Sequence, residues 1–273
     1  MIGRRLVNGV EGTGIAADDR GLAYGDGLFE TMAAEDGQLR HFDLHMARLG
    51  DGCHRLGLPM PTIDTILGDC RRVLDGLGTA TVKLILTRGP GPRGYAPPAH
   101  PNVTRIVMSA SSHSHEADTL RPVFVQVCQT RLALSPQLAG IKHLNRLEQV
   151  LAAAEVTAAG LDEGLMLSVD GRLVCATSAN LFLVQRDRLV TPTIRDCGVA
   201  GVMRRVVLQA AERLGIPCEI RDVEIGELGA ADEVFLTNAV RGIRPVVGVA
   251  GIAQYPVAAL APRLLEHLAQ VAG

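Results

Sequence analysis

Gly140-Ile141-Lys142-His143-Leu144-Asn145-Arg146-Leu147-Glu148-Gln149 sets a lysine at the entrance to an amphipathic stretch, which reads as a helix from 144 to 159. Only one other lysine, Lys83, occurs in the 273 residues, so the positive charge is nearly all arginine. A guanidinium stays charged, whereas a lysine of lowered pKa can form a Schiff base or move a proton. A lysine kept at a strand-to-helix junction therefore points to chemistry that needs a deprotonatable amine. The plain alternative is a codon bias that depleted lysine and left Lys142 as an ordinary helix-end charge. Composition alone leaves both readings open.

Outward from that segment, 273 residues suffice for one large domain or two medium ones with ample core. A hydrophobic share of 47% and a charged share of 21% are those of an ordinary soluble globular chain. The net charge of −2 and the lack of basic runs argue against a nucleic-acid partner. No uninterrupted apolar run is long enough to cross a bilayer, and the N-terminus lacks an apolar signal core, so the expected location is the cytoplasm, away from membranes. Six scattered cysteines contain no Cys-x-x-Cys pair, and His113-Ser114-His115 lacks further ligands, so no metal is expected.

The pattern is α/β. Asn8-Gly9 and Asp36-Gly37 read as hairpin turns, the second joining strands at 28–34 and 39–42. Helices follow over 43–56 and 63–76, then buried strands at 82–87 and 103–108. Residues 110–119 lose all periodicity, which suggests domains over 1–110 and 121–273 joined by a linker at 111–120. Beyond it, strands at 122–130, 164–169, 173–176, 180–185, 188–191 and 233–237 accompany helices at 144–159, 201–214 and 256–271. Two α/β domains with a cleft between them are expected. Gly198-Val199-Ala200-Gly201-Val202-Met203 opens the 201–214 helix, so backbone N–H groups of Gly201 and Val202 would face an anion along the helix dipole.

Several segments share an order as well as a wording. They are Asp18-Asp19-Arg20-Gly21-Leu22-Ala23-Tyr24-Gly25-Asp26-Gly27-Leu28-Phe29-Glu30-Thr31, His45-Met46-Ala47-Arg48-Leu49 and Thr87-Arg88-Gly89-Pro90-Gly91-Pro92-Arg93-Gly94-Tyr95. The lysine segment follows, then Ser178-Ala179-Asn180-Leu181-Phe182, the Gly198–Arg204 run and Thr237-Asn238-Ala239. In this order the chain resembles the fold-type IV pyridoxal-phosphate enzymes, which include branched-chain aminotransferases, D-amino-acid transaminases and 4-amino-4-deoxychorismate lyases. The lysine segment and the Arg88–Tyr95 loop are most similar to the lyases, which remove pyruvate from 4-amino-4-deoxychorismate and leave 4-aminobenzoate.

The resemblance implies a smaller N-terminal α/β domain and a larger C-terminal α/β pseudo-barrel. It implies pyridoxal 5'-phosphate bound covalently by Lys142, which also shuttles the proton. Arg48, Gly201, Val202 and Thr237 are expected at the cofactor phosphate, and Arg93, Tyr95 and Asn238 at the substrate, where a planar guanidinium suits a carboxylate. The Arg93 loop is expected to reach the partner subunit's site, making the active unit a homodimer.

One position departs from the family. Five residues before the asparagine of Asn-Leu-Phe, where an acid pairs with the pyridine nitrogen, stands Cys175. A thiol is a weak donor and acceptor and makes the ring a poorer electron sink. Transamination depends on that sink, because a carbanion must be reprotonated at another carbon. Elimination of pyruvate depends on it less, since aromatisation drives the reaction. Cys175 therefore favours a lyase over an aminotransferase, and it also leaves open a non-catalytic binding protein.

Overall fold

The computed structural model describes residues 2–12, 14–112, 120–256 and 260–272. The chain divides into two compact units, one of Met1–His115 with Ile141–Asn145, the other of Glu116–Gly140 with Arg146–Gly273. Most of the expected linker, and with it His113 and His115, lies outside the described residues.

The first unit is built on an antiparallel sheet of β1 (Ile2–Val7), β2 (Val10–Glu11), β3 (Gly27–Glu35), β4 (Gln38–Leu39), β5 (Thr79–Thr87) and β6 (Thr104–Ser111), in the order β2-β1-β6-β5-β3-β4. Both hairpin turns take the left-handed geometry their residues favour, with φ of 50° and 79° at Asn8-Gly9 and 46° and 76° at Asp36-Gly37. Alternation along β5 buries Ala80, Val82, Leu84 and Leu86 and leaves Lys83 exposed. The helices Phe42–Leu56 and Ile63–Leu74 supply Met46, Leu49, Ile66 and Val73 to the core. Each such side chain contributes about 1.5–3 kcal/mol. The strand expected at 39–42 is shorter, because the chain turns into the helix at Phe42.

The lysine segment belongs to this unit. Phe29 N–H donates to the Lys142 carbonyl at 2.9 Å, Leu144 N–H donates to the Gly27 carbonyl at 3.0 Å, and Leu28 faces His143 across the bridge. Residues 142–144 therefore run extended along the start of β3. The following helix is Leu147–Ala159 and begins three residues later than its periodicity suggests.

The second unit is a mixed nine-stranded sheet. Its strands are β7 (Val123–Leu132), β8 (Glu163–Ser168), β9 (Leu173–Ala176), β10 (Asn180–Gln185), β11 (Arg188–Pro192), β12 (Cys218–Arg221), β13 (Glu233–Asn238), β14 (Gly242–Val249) and β15 (Ala253–Gln254). The order is β12-β11-β10-β13-β14-β7-β8-β9, with β15 on β14. A bridge from Leu173 to Val223, just past β12, carries the β9 edge back towards the other end, so the sheet curls into the expected pseudo-barrel. Val123, Leu165, Leu181, Leu183, Leu236 and Val246 belong to one buried cluster of this unit. The helix Leu147–Ala159 lies against β7 and β8, where Glu155 accepts the N–H groups of Gln129 and Thr130 beside a register shift in β7. The helix Val202–Arg213 lies against β13, and Leu260–Ala272 closes the chain. Among the described residues no helix is long and apolar enough to cross a membrane.

Candidate active site

In the first unit, strand alternation sends Phe29 and Glu30 to opposite faces of β3. Glu30 is 1% exposed and holds two side chains of the helix Phe42–Leu56 that lie three residues apart. His45 Nδ1 lies 2.6 Å from one carboxylate oxygen, and Arg48 donates through Nε at 2.8 Å and Nη2 at 2.5 Å. Burial alone would raise the Glu30 pKa, but the hydrogen bonds from His45 and Arg48, together with their charge, hold it below the usual carboxylate value. Arg48, the expected phosphate ligand, is thus a fixed guanidinium. Glu30 and His45 stand in segments already noted in the sequence, yet nothing there paired them; a lone acid on a strand gives no sign of its partner.

The Lys142 ammonium sits 4.3 Å from the centroid of the Phe29 ring. The Lys83 ammonium sits 5.2 Å from the same ring, so both lysines of the chain converge on one aromatic face system.

Arg93 and Tyr95 stand on an exposed loop, Tyr95 at 85%. The loop is gripped from below by Arg20, which donates to the carbonyls of Gly94 (2.9 Å) and Tyr95 (2.8 Å) and, through Nε, to Asp26 (2.9 Å). Arg88 donates to Asp26 at 2.7 Å and to the carbonyls of Gly57 and Leu56. Burial raises the Asp26 pKa, and the two guanidinium groups more than reverse it, so the carboxylate lies below its ordinary value. The Tyr24 and Tyr95 rings pack 5.4 Å apart. Arg20 carries no visible role in the sequence, since its targets are main-chain carbonyls more than seventy residues away.

The second unit brings Gly201, Val202 and Thr237 together through Asn180. Asn180 pairs with Thr237 across β10 and β13, and its Nδ2 donates to the Val199 carbonyl at 2.9 Å. A side chain at Gly201 would place its Cβ 1.9 Å from Asn180 Oδ1, so the close approach requires glycine. Gly201 caps the helix Val202–Arg213 without any side-chain cap, which directs its first N–H groups to an outside acceptor. The Thr237 hydroxyl, in a residue 1% exposed, has no hydrogen-bond partner. Two sets of donors thus await an anion in one place.

Asn238, expected at the substrate, is engaged by its own turn. Its Oδ1 accepts the N–H groups of Val240 (3.1 Å) and Arg241 (2.7 Å), and its Nδ2 donates to the Ser178 carbonyl, so it holds the turn from β13 to β14. Cys175 lies opposite Met166 between β9 and β8, in a buried cluster with Cys128, Val174 and Cys197. Burial, with Cys197 beside it, pushes the Cys175 thiol up to about 12, so it stays neutral. Arg146 is its cationic neighbour, itself lowered by burial.

Residues 27–249 match the amino-transferase class IV family. The chain belongs to that family. Within the class IV group it is 37% identical, over 96% of its own length and 98% of the relative's, to the aminodeoxychorismate lyase of Vibrio harveyi. The crystal structure of the 4-amino-4-deoxychorismate lyase from Pseudomonas aeruginosa superposes with a TM-score of 0.89 at 46% identity, covering 97% of this chain and 98% of that one. Another class IV relative, the branched-chain-amino-acid aminotransferase of Escherichia coli, is 26% identical over 85% of this chain and 78% of its own.

Proposed function

We propose that the chain is a pyridoxal-phosphate-dependent carbon–oxygen lyase that converts 4-amino-4-deoxychorismate into 4-aminobenzoate and pyruvate. The observation that carries this reading is the near-full-length likeness to two such lyases, at 37% and 46% identity. The donor set fits the cofactor. The orphaned Thr237 hydroxyl and the uncapped helix start at Gly201 and Val202 suit its phosphate, and the family resemblance assigns the Glu30-braced Arg48 to that phosphate and the Lys142 amine to its aldehyde carbon. When bound, the cofactor supplies an electron-withdrawing ring that takes up the pair released as the substrate's C–H bond breaks.

Lys142 removes the proton from the ring carbon that bears the amine and returns a proton to the departing three-carbon fragment, which leaves as pyruvate. Cleavage of the neighbouring C–O bond makes the six-membered ring aromatic, and that gain replaces part of the electron withdrawal a carboxylate at position 175 would secure. A neutral, buried thiol at Cys175 is compatible with this elimination. Arg93 binds a substrate carboxylate and Tyr95 lines the same loop. The reading takes a homodimer as the active unit, and Leu147, Val150 and Leu151, exposed by 77%, 60% and 59%, give one helix an apolar face for a second copy.

The test is steady-state release of both products, in equal amounts, from 4-amino-4-deoxychorismate. Formation of neither product sinks the proposal, and conversion of the cofactor to its amine form by a branched-chain or D-amino acid would replace it with an aminotransferase. A second expectation concerns Cys175→Glu. The new carboxylate, with Arg146 at hand, gives the ring nitrogen a charged partner, and a charge-assisted hydrogen bond of about 1.5–3 kcal/mol corresponds to cofactor affinity higher by about tenfold or more. Cofactor retained during dialysis, read by absorbance, measures it. Equal or weaker retention means that the pocket is built around the thiol.

A further inference from the structure

Arg244 stands on β14, a strand whose partner β13 ends at Thr237 and Asn238. It is 8% exposed, and its Nε is buried without a hydrogen-bond partner. No ion pair reaches it among the described residues, although a guanidinium carries five donors. Leaving such a group buried and unmatched is costly, so its surroundings define what completes it.

Those surroundings are a small cleft lined by Glu163, Ala179, Thr237, Asn238, Arg241 and Arg244. The acid that lines this cleft does not answer the guanidinium. The Glu163 carboxylate instead accepts the Gly164 N–H and the hydroxyls of Thr177 and Ser178. Burial pushes the Arg244 pKa down, Arg241 and Arg121 press in the same direction, and Asp162 and Glu163 oppose them. Thr237 borders the same space, but Arg244 stands across from Leu236 in the register, so the Thr237 hydroxyl belongs to the opposite face of the sheet, beside Asn180. A buried, unmatched guanidinium nitrogen at a cleft, with Arg241 beside it and the lining acid engaged elsewhere, calls for an acceptor from outside the chain.

We infer that Arg244 forms a carboxylate-binding subsite adjoining Thr237, filled during turnover by one of the substrate's two carboxylates. The identity of the occupant rests on the lyase reading above; the subsite itself rests on the orphaned Arg244 nitrogen. A planar fork matches a carboxylate in two parallel hydrogen bonds, which a lysine in its place would not.

The experiment compares holoenzyme of the wild type, Arg244→Met and Arg244→Lys by steady-state kinetics and by thermal melting with and without 4-aminobenzoate, pyruvate or inorganic phosphate. Methionine keeps the length of the side chain and removes the unmatched charge. Arg244→Met should raise KM for 4-amino-4-deoxychorismate by about 10- to 100-fold while kcat changes less than about threefold, with Arg244→Lys between the two. Its ligand-free Tm should equal or exceed that of the wild type, because an uncompensated buried charge has gone. 4-Aminobenzoate or pyruvate should raise the wild-type Tm and leave that of Arg244→Met unmoved. This arm stands even if the wild type fails to turn over the lyase substrate, so failure of the lyase reading and failure of the subsite give different results. If methionine prevents folding, Arg244→Lys and the wild-type melts decide alone. An unchanged KM with a lowered Tm would show a structural guanidinium satisfied by ordered water only, and a Tm raised by inorganic phosphate but by neither carboxylate would assign the cleft to a free anion; each overturns the inference.

Discussion

Lys142→Ala is expected to abolish release of 4-aminobenzoate and pyruvate, lowering kcat/KM by about 10³-fold or more. In the proposed mechanism the side chain carries the chemistry, whereas the backbone of the segment carries the fold. Residues 142–144 are tied to β3 through the Lys142 carbonyl and the Leu144 N–H, and neither bond uses the amine. The variant should therefore melt close to the wild type, the contact between the ammonium and the Phe29 ring being among those it loses. Borohydride treatment of the cofactor-loaded wild type should leave a label on the peptide containing Lys142, and the variant should take none. Lys142→Arg should be as inactive as alanine, since guanidinium gives up no proton at working pH. Activity above about a tenth of wild type in either variant would remove Lys142 from the mechanism.

Glu30→Leu should be strongly destabilising, by about 3–5 kcal/mol, because it strips a buried carboxylate from His45 and Arg48. The loss has a pH signature. The folded Glu30 carboxyl titrates below its ordinary value of 4.5, so its stabilising contribution is fully present above that value. It fades as pH falls through the lower, folded pKa. The gap in unfolding free energy between wild type and Glu30→Leu should accordingly be constant from about pH 6 upward and close in stronger acid, as measured by urea melts across pH 3–7. A gap independent of pH would mean that Glu30 acts by packing alone. The same variant should also hold cofactor less tightly, since Arg48 loses the brace that aims it.

Much of this could be read from residue order. Asn8-Gly9 and Asp36-Gly37 announced their turns because few residues adopt positive φ, and the Gly198–Met203 run announced the start of a helix. The lysine segment and the Thr237 strand end were legible as chemistry through their neighbours in sequence. What escaped was whatever depended on distant pairing. β14 went unread because Arg244 and Pro245 interrupt its apolar run, and a proline argues against a strand interior. The bracing of Arg48 by Glu30 and the grip of Arg20 on the loop join residues 18 and more than 70 positions apart. The helix start slipped from 144 to 147 because a backbone bridge to β3 overrode local periodicity.

The grip of Arg20 also bears on how such a chain diversifies. Its two terminal nitrogens address the main-chain carbonyls of Gly94 and Tyr95, which every amino acid possesses. The attachment is therefore blind to side-chain identity, and residues such as 93 and 95 can be exchanged while the loop keeps its seat. A frame of this kind separates the heritable address of the loop from the message it displays, so selection can rewrite what the loop recognises without first having to rebuild the frame.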